Sequence, residues 1–157
     1  MTTAVDTNIL LDILIPNQTH LRSSLKKVEK ASQGGQIVVC EVVYAELGSQ
    51  FREENQLNAF FANTQIKLVF SDRRSLFRAS QLWQSYRMGR TKKQSSYCSE
   101  CGRTTKLNCS RCGAILTKPR RILNDFIIGA HALMVADVFL TRDRGFYRKY
   151  FSKLTIS

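Results

Sequence analysis

The sequence predicts one α/β domain in which helices cover both faces of a parallel β-sheet. Two observations lead to this prediction. Short, β-rich apolar runs alternate with helix-like stretches along most of the chain, and such alternation favours a parallel sheet with helical crossover connections. The chain also has 157 residues, of which 43% are hydrophobic and 23% are charged, and this length and composition are typical of a single globular domain.

The first half of the chain predicts three strands and the helices that connect them. The strands are short apolar runs, and the helices carry apolar residues at helical spacing. We expect Pro16 to stop the first helix, Thr19 to cap the second, and Gly34 and Gly35 to end it. In chain order the predicted elements are strand Thr3–Val5, helix Ile9–Ile15, helix Thr19–Ser32, strand Ile37–Cys40, helix Val42–Arg52, helix Glu54–Ala62 and strand Ile66–Phe70.

The second half predicts a long helix, then a second helix and a strand, and finally a short helix or turn and a last strand. Ser71 offers an N-cap for a helix that runs to about Met88. We expect Trp83 and Phe126 in the core, and His131 to pack or hydrogen-bond locally. The long helix has Leu76, Ala79, Leu82 and Tyr86 on one face, and the later elements are helix Asn124–Ala136, strand Val138–Leu140, helix or turn Asp143–Tyr150 and a last strand Leu154–Ile156.

Residues 89–121 interrupt this pattern, because Gly, Ser, Lys, Arg and Cys replace the apolar periodicity. Between Arg87 and Arg121 there are ten Lys or Arg residues and one acid, Glu100, so this stretch holds +9 of the chain's net charge of +12. A basic segment indicates a polyanionic partner, most often nucleic acid. The alternative is a solvated, disordered linker. We interpret the segment as an insertion between two helices of one domain.

Four cysteines in this segment predict a zinc site. They form two Cys-x-x-Cys-Gly pairs separated by seven residues, and four thiolates at such spacing can surround a tetrahedral zinc ion. Four protein ligands leave no open position, so the zinc would be structural; an iron site and a redox dithiol are the alternatives. Cys40 stands apart and is expected to be a small buried hydrophobe. The predicted zinc ligands are Cys98, Cys101, Cys109 and Cys112.

We expect these cysteines to organise a small zinc-ribbon hairpin over residues 95–117. Two functions of the ribbon remain open at this point. It could present Arg103, Lys106 and Arg111 to the phosphates of RNA, or it could close a long loop or bind a protein.

Four acids stand where predicted strands end or helices begin. Asp6 ends the first strand, and Glu46 lies about one turn into the helix after the second. Asp125 opens the helix after the insertion, and Asp143 follows the fourth strand. Because the carboxyl ends of parallel strands share one rim, we expect an acidic pocket that favours bound Mg²⁺ or Mn²⁺. The simpler alternative is that an Asp at a helix start, such as Asp125, only caps the helix.

The residues around these acids resemble four motifs of the PIN-domain nucleases, notably the VapC-type toxins. Each motif is short, but all four occur in order and in register, and the resemblance covers about residues 1–88 and 120–157. The inserted ribbon departs from the compact PIN toxins. The resemblance is carried by Ala4–Asp12 (AVDTNILLD), Val43–Leu47 (VYAEL), Ile122–Ala132 (ILNDFIIGAHA) and Leu140–Phe146 (LTRDRGF).

The resemblance implies a PIN-like, Rossmann-like fold with three α/β/α layers over residues 1–157, and with the ribbon inserted within it. It also implies a catalytic Mg²⁺ or Mn²⁺ site at the rim of the sheet. Thr141 resembles the hydroxyl residue of the last motif that helps to order water or metal, and Thr7 and Asn8 match the first motif as supporting residues. The acids implied as metal ligands and catalytic residues are Asp6, Glu46, Asp125 and Asp143.

The activity implied by the resemblance is endonucleolytic hydrolysis of RNA by metal-activated water. The implied partners are an antitoxin that covers the site and a second copy of the chain in a homodimer. Arg142 and Arg144 flank Asp143, and either contact a scissile phosphate or offset the acidic pocket. No apolar run approaches the roughly 18 residues of a membrane helix, and no basic leader precedes the first apolar run, so we expect a cytoplasmic protein.

Two other functions stay open from the sequence. The chain could be a non-catalytic adaptor, in which the zinc ribbon binds RNA or protein on a PIN scaffold. It could also cut DNA of a particular structure, because related nuclease folds do so. Cleavage that EDTA abolishes and Mn²⁺ restores would exclude the adaptor, and parallel assays on RNA and flap DNA would separate the two nucleases.

Overall fold

The computed structural model describes residues 1–15, 19–88, 96–97, 101, 103–105, 108, 110–111, 113 and 123–157. Within these residues strands and helices alternate as the sequence predicts. In chain order the elements are β1 (Thr2–Val5), α1 (Thr7–Leu14), α2 (Leu21–Gly34), β2 (Gln36–Val39), α3 (Glu41–Gly48), α4 (Glu54–Thr64), β3 (Lys67–Leu68), α5 (Arg73–Met88), β4 (Ser96–Tyr97), β5 (Thr104–Thr105), α6 (Leu123–Val135), β6 (Val138–Leu140) and α7 (Arg144–Tyr150).

Four strands form one parallel sheet in the order β3-β2-β1-β6. In the register of β1, Thr3 pairs with Ile37 of β2, and Ala4 pairs with Phe139 of β6. The connection through α5 and α6 leads from β3 back past β2 and β1 to β6. The structure therefore confirms the predicted α/β class, with all strand carboxyl ends at one edge.

Some predicted elements are longer than the observed ones. Helix α3 ends at Gly48, because the Gln50 and Phe51 N–H groups bond three residues back, to the Leu47 and Gly48 carbonyls, and tighten the chain into turns. Strand β3 has only two residues. The predicted last strand makes an isolated parallel bridge between Phe139 and Ile156.

Helix α5 differs from its predicted cap and apolar face. The carboxylate of Asp72, not Ser71, caps its first turn by accepting the Ser75 N–H at 2.7 Å. Ser75 and Ala79 lie on the buried face, whereas Leu76 is 42% exposed. The buried face thus begins at a serine, which a hydrophobicity pattern overlooks. Helix α2 likewise begins at Leu21 with His20, rather than Thr19, at its N-cap.

Aromatic side chains pack where α6, α7 and β6 meet. The rings of Phe126 and Phe146 meet edge to face at 5.1 Å, and those of Phe139 and Tyr147 at 4.7 Å. All four are buried, which confirms the prediction for Phe126. Trp83 is only partly buried, and the Arg87 guanidinium lies 4.8 Å above its ring.

Gly129 of α6 lies directly against the aromatic rings of Tyr147 and Phe151. A Cβ atom there would lie 2.6 Å from Phe151 Cε2 and 2.9 Å from Tyr147 Cε1, well inside van der Waals contact. Glycine inside a helix costs about 0.5–1 kcal/mol relative to alanine. At this position the lack of a side chain is what lets the aromatic rings pack against the helix.

His131 also lies in α6 and is 1% exposed. It forms a hydrogen bond with the Val69 backbone, and its Nε2 has no hydrogen-bond partner among the described residues. Burial lowers the pKa of His131, although Glu41 and Asp72 nearby act in the opposite direction. The prediction of local packing and hydrogen bonding is confirmed.

Little of the predicted ribbon lies within the described residues. There β4 pairs with β5 in an antiparallel ladder that joins Tyr97 to Thr104. Cys101, Arg103 and Arg111 are exposed. The predicted zinc ligands Cys98, Cys109 and Cys112, and also Lys106, lie outside the described residues.

Helices α5 and α6, which flank the insertion, pack against one another, and the rings of Tyr86 and Phe126 lie 5.5 Å apart. Cys40 is buried, as predicted, and burial raises the pKa of its thiol to about 11. In the part of the chain that the structure describes, no helix combines the length and apolar character that a membrane span requires.

Candidate functional site

The ends of neighbouring parallel strands bring the predicted site residues to one edge of the sheet. Asp6 directly follows β1, and Thr141 directly follows β6. The Asp6 N–H donates to the Leu140 carbonyl at 2.9 Å, so the two strand ends are held side by side. This edge is where open α/β sheets bind ligands.

The Asp6 carboxylate lies at the centre of this edge and is only 6% exposed. Its Oδ2 accepts hydrogen bonds from the Thr141 hydroxyl and from Asn8 Nδ2, both at 2.6 Å. The pKa of Asp6 is raised to about 6: burial is the largest cause, the Thr141 hydrogen bond opposes it, and the charges of Asp125 and Glu46 add to the rise. Asp6 is therefore held where ionisation is unfavourable unless a cation is near.

Glu46 is held by two donors from different parts of the chain. One oxygen accepts the Thr7 hydroxyl in a short hydrogen bond, and the other accepts Asn124 Nδ2 at 3.1 Å. Thr7 begins α1, Glu46 lies in α3 and Asn124 lies in α6. These bonds fix the orientation of the carboxylate and bring three helices together at the site.

The remaining two acids flank this pair. Asp125 lies in the first turn of α6, and its charge acts on Asp6. Asp143 is the N-cap of α7, where its carboxylate accepts the Phe146 N–H at 3.3 Å. The capping role that the sequence suggested as the simpler alternative for Asp125 is thus observed at Asp143.

Thr141 connects Asp143 to Asp6. Its hydroxyl donates to Asp6, accepts the Asp143 N–H at 3.0 Å and accepts Asn8 Nδ2 at 3.3 Å. A hydroxyl has one donor and two acceptor positions, so all of them are used. The side chain is fully buried.

Arg142 has a partner that the sequence did not predict. Its Nε lies 3.1 Å from Oδ2 of Asp12, which is buried and also accepts the Ser24 hydroxyl at 2.7 Å. The backbone N–H of Arg142 donates to Asn8 Oδ1 at 3.1 Å. Arg142 therefore ties the loop after β6 to α1 and α2, in addition to any contact with phosphate. Arg144 is partly buried at the start of α7.

Sequence reasoning overlooked several residues of this site. The sequence shows Asn124 only as part of a motif, and it gives no sign that Asp12 and Ser24 join Arg142. Ser24 and its partner Asp12 are 12 positions apart, and Asn124 and its partner Glu46 are 78 apart; only folding brings such pairs together. The single local signal was the short polar run Thr7-Asn8 after Asp6, whose hydrogen bonds agree with the supporting role expected for it.

The donor set has the chemistry of a Mg²⁺ or Mn²⁺ site. Among the described residues, the charged groups that act most strongly on Asp6 are both carboxylates. Carboxylate and water oxygens are the ligands that Mg²⁺ prefers, and it commonly binds through one or two carboxylates while keeping several waters. No group of three or more acids, histidines or cysteines among the described residues is arranged around a common metal position.

Comparison with known proteins shows a likeness in fold. No protein-family model and no curated protein sequence matches the chain. Among solved structures, a chain of VapBC2 from Rickettsia felis, crystallised with a DNA fragment from their promoter, superposes with a TM-score of 0.59 at 16% identity, over 100% of this chain and 98% of that one. A chain of VapBC-1 from nontypeable Haemophilus influenzae gives 0.58 at 16% identity, over 100% and 97%. The chain has the PIN-like fold of VapC proteins.

Proposed function

We propose that the chain is a metal-dependent endoribonuclease that hydrolyses RNA phosphodiester bonds, as the toxin of a toxin–antitoxin pair. The proposal depends above all on the buried Asp6 carboxylate, which lies beside Glu46 and Asp125 at the carboxyl edge of a parallel sheet. The VapC-like fold supports it. Each acid would serve as a metal ligand, directly or through water, and Thr141 would order water at the same place.

A bound Mg²⁺ or Mn²⁺ would supply an activated water and stabilise the leaving oxygen of the phosphodiester. The chain's own residues hold the acids in position. Asn8 and Thr141 fix the Asp6 oxygen, and Thr7 and Asn124 fix both oxygens of Glu46. Such hydrogen bonds to the ligating carboxylates set how well they present their remaining lone pairs.

The first test is cleavage of a mixed pool of single-stranded RNA by the wild-type protein and Asp6→Asn. Both hydrogen bonds that Asp6 accepts from side chains end on Oδ2, so an asparagine with its carbonyl oxygen in that place can keep them while it removes the charge. We expect Asp6→Asn to lose cleavage. Wild-type cleavage should stop in EDTA and return with Mn²⁺. Cleavage by Asp6→Asn at the wild-type rate would disprove the proposal.

A matched pair of glutamates separates the site from a general effect of charge. Glu46→Gln removes a carboxylate that the site orients, whereas Glu29→Gln removes one from the exposed face of α2. We expect the first to reduce cleavage at least tenfold and the second to leave it unchanged. Flap DNA tested in parallel should remain uncut.

The partners are also part of the proposal. The structural neighbours come from VapBC structures, which supports an antitoxin that covers the acidic site and a homodimer of the chain. Sedimentation of the purified chain would test the dimer. For the antitoxin, co-expression with a small protein encoded beside the chain should give a stable complex in which RNA cleavage is inhibited.

The zinc ribbon is a separate proposal that depends on the spacing of Cys98, Cys101, Cys109 and Cys112. Thiolates at this spacing bind zinc tightly, and the ion would be structural. Elemental analysis should find one tightly held zinc per chain, and Cys98→Ser should lose it. Folded protein with no zinc would exclude the ribbon while leaving the nuclease proposal intact.

A further inference from the structure

Asp12 is a buried carboxylate outside the group of four acids that form the candidate site. It lies in α1 and is only 3% exposed. Its Oδ2 lies 3.1 Å from Nε of Arg142 and accepts the Ser24 hydroxyl at 2.7 Å. A carboxylate that leaves water is strongly destabilising unless a cation and hydrogen-bond donors compensate it. The charge of Asp12 therefore depends on Arg142.

Helix α1 holds Arg142 at two points. The Arg142 side chain pairs with Asp12, and the Arg142 backbone N–H donates to Asn8 Oδ1 at 3.1 Å. Asn8 and Asp12 are four positions apart in α1, a spacing that places them on the same face of the helix. The backbone and the side chain of one loop residue are thus both attached to one face of α1, which fixes where the chain passes after β6.

This two-point attachment connects directly with the acids. The Asn8 amide holds Arg142 with its oxygen and donates its Nδ2 to Asp6 Oδ2 at 2.6 Å. Thr141, which precedes Arg142 in the chain, donates to the same Asp6 oxygen at 2.6 Å. Asp143, which follows Arg142, is itself one of the four acids. A displacement of Arg142 would therefore move Asp6 and Asp143 relative to one another.

The contact between Arg142 and Asp12 acts through charge. Arg142 Nε lies 3.1 Å from the carboxylate oxygen, but it makes no aligned hydrogen bond with any of the described residues. The Arg142 side chain is 39% exposed, whereas that of Asp12 is 3% exposed. Removal of either charge should release the side-chain attachment, while the backbone bond from Arg142 to Asn8 can remain in place.

We infer that Asp12 is a positioning residue, which fixes Arg142 and thereby holds Asp6 and Asp143 in the arrangement that binds a divalent cation. The inference rests on the proposed function, because it takes the acids at this edge of the sheet to bind Mg²⁺ or Mn²⁺. Asp12 acts through Arg142 rather than on the ion. Replacement of residues that orient metal ligands commonly weakens metal binding by about 10–100-fold.

The test is the affinity for Mn²⁺ in the absence of RNA, measured from the electron paramagnetic resonance signal of the unbound ion while circular dichroism shows each variant folded. Asp12→Asn removes an anion near the site, and Arg142→Gln removes a cation from the same place. Charge alone would make the first variant bind Mn²⁺ more weakly and the second more tightly. A loss of positioning weakens both. The matched control is Asp72→Asn, since Asp72 also accepts a serine hydroxyl at 2.7 Å, but at the start of α5.

We expect Asp12→Asn and Arg142→Gln each to bind Mn²⁺ about tenfold more weakly than wild type, and Asp72→Asn to bind within about twofold of it. If both site variants bind like wild type, the ion pair only stabilises the fold and the inference is wrong. Opposite changes in the two variants would show an effect of charge alone and would also overturn it. If Asp12→Asn does not fold, Arg142→Gln decides, because charge alone predicts tighter binding for that variant.

The inference and the proposed function can fail separately when RNA cleavage is measured on the same proteins. Wild-type protein that cleaves RNA in Mn²⁺, while both site variants bind the ion normally, would disprove the role of Asp12 and leave the nuclease. Wild-type protein that binds Mn²⁺ about tenfold more tightly than both variants, but cuts no RNA, would disprove the nuclease and leave the role of Asp12.

Discussion

The Thr141 hydroxyl donates to Asp6 Oδ2 at 2.6 Å and thereby joins the ends of two neighbouring strands, β6 and β1. The same oxygen accepts the Asp143 N–H. One small side chain therefore sets the position of a buried acid relative to the acid that caps the next helix. Its replacement should disturb both at once.

Thr141→Val keeps the shape of the side chain and removes the hydroxyl. The Asp143 N–H and the Asn8 amide then lose a buried acceptor, and we expect the free energy of unfolding to fall by about 1–3 kcal/mol. Cleavage of RNA should fall with it. Thr141→Ser keeps the hydroxyl, so its free energy of unfolding and its rate of RNA cleavage should stay close to those of wild type. Urea unfolding of the three proteins measures the effect, and equal stability of the valine and serine variants would contradict it.

The contribution of Asp6 to the stability of the metal-free protein should fall as the pH rises, because the pKa of Asp6 is raised from 3.8 to about 6 in the fold. Between these values the folded chain binds a proton that the unfolded chain has lost, so stability is lost as the pH rises from about 4 to 6. A difference of this size corresponds to about 3 kcal/mol at most. Asp6→Asn should therefore be more stable than wild type at pH 7, and less sensitive to pH in this window.

Addition of Mg²⁺ provides the control for this effect. The ion should raise the unfolding temperature of the wild-type protein, because it binds the folded state. Mg²⁺ should raise the unfolding temperature of Asp6→Asn much less. A difference in unfolding temperature between wild type and Asp6→Asn that is the same at pH 4.5 and pH 7, with and without Mg²⁺, would contradict the raised pKa of Asp6.

Two glycine-to-alanine variants should have opposite effects. At Gly129 a Cβ would lie 2.6 Å from the Phe151 ring, so Gly129→Ala should destabilise the chain by about 1–3 kcal/mol. At Gly48 the nearest atom would be Leu57 Cδ2 at 3.6 Å, an ordinary contact. Gly48→Ala should be neutral, or stabilising by up to about 1 kcal/mol, through helix propensity. Thermal unfolding compares them directly, and equal effects would exclude the close approach at Gly129.

His131 should make the fold sensitive to acid. Burial lowers its pKa below 6.5 in the folded chain, so the neutral ring contributes stability that is present above the unfolded pKa and is lost as the pH falls below it. His131→Leu removes the titrating group. The stability difference between variant and wild type should shift in favour of the variant between pH 7 and pH 5. A difference that does not depend on pH would show that His131 has the same pKa in the folded and unfolded chains, contrary to this prediction.

The fold class could be predicted from the sequence because it depends on local patterns. The apolar runs of β1, β2 and β6 and the helices between them appear in the sequence much as they do in the structure. Errors arose where a polar residue takes part in packing or where two caps compete. Ser75 lies buried in place of Leu76, and Asp72 caps α5 in place of Ser71 because its carboxylate reaches the Ser75 N–H.

The candidate site could be predicted only in part. Asp6, Asp125 and Asp143 could be found because each follows a strand or begins a helix, a position that the sequence shows, whereas Glu46 lies inside α3 and was supported by the family resemblance. Of the residues that orient the acids, Thr7, Asn8 and Thr141 were expected from the same resemblance. Asn124 was not, since it contacts Glu46 across 78 positions of the chain. The ion pair between Arg142 and Asp12 was also not predicted, because it joins α1 to the loop after β6.

The contact between Tyr86 and Phe126 shows where the chain can accept insertions and deletions during evolution. Because the last turn of α5 and the first turn of α6 touch each other, the two ends that residues 89–122 connect lie at nearly the same place. The entropy of closing such a loop grows only with the logarithm of its length. Extra sequence can thus be gained, lost or exchanged there with little effect on the sheet, and a chain with residues 89–122 replaced by a short glycine–serine link should still fold.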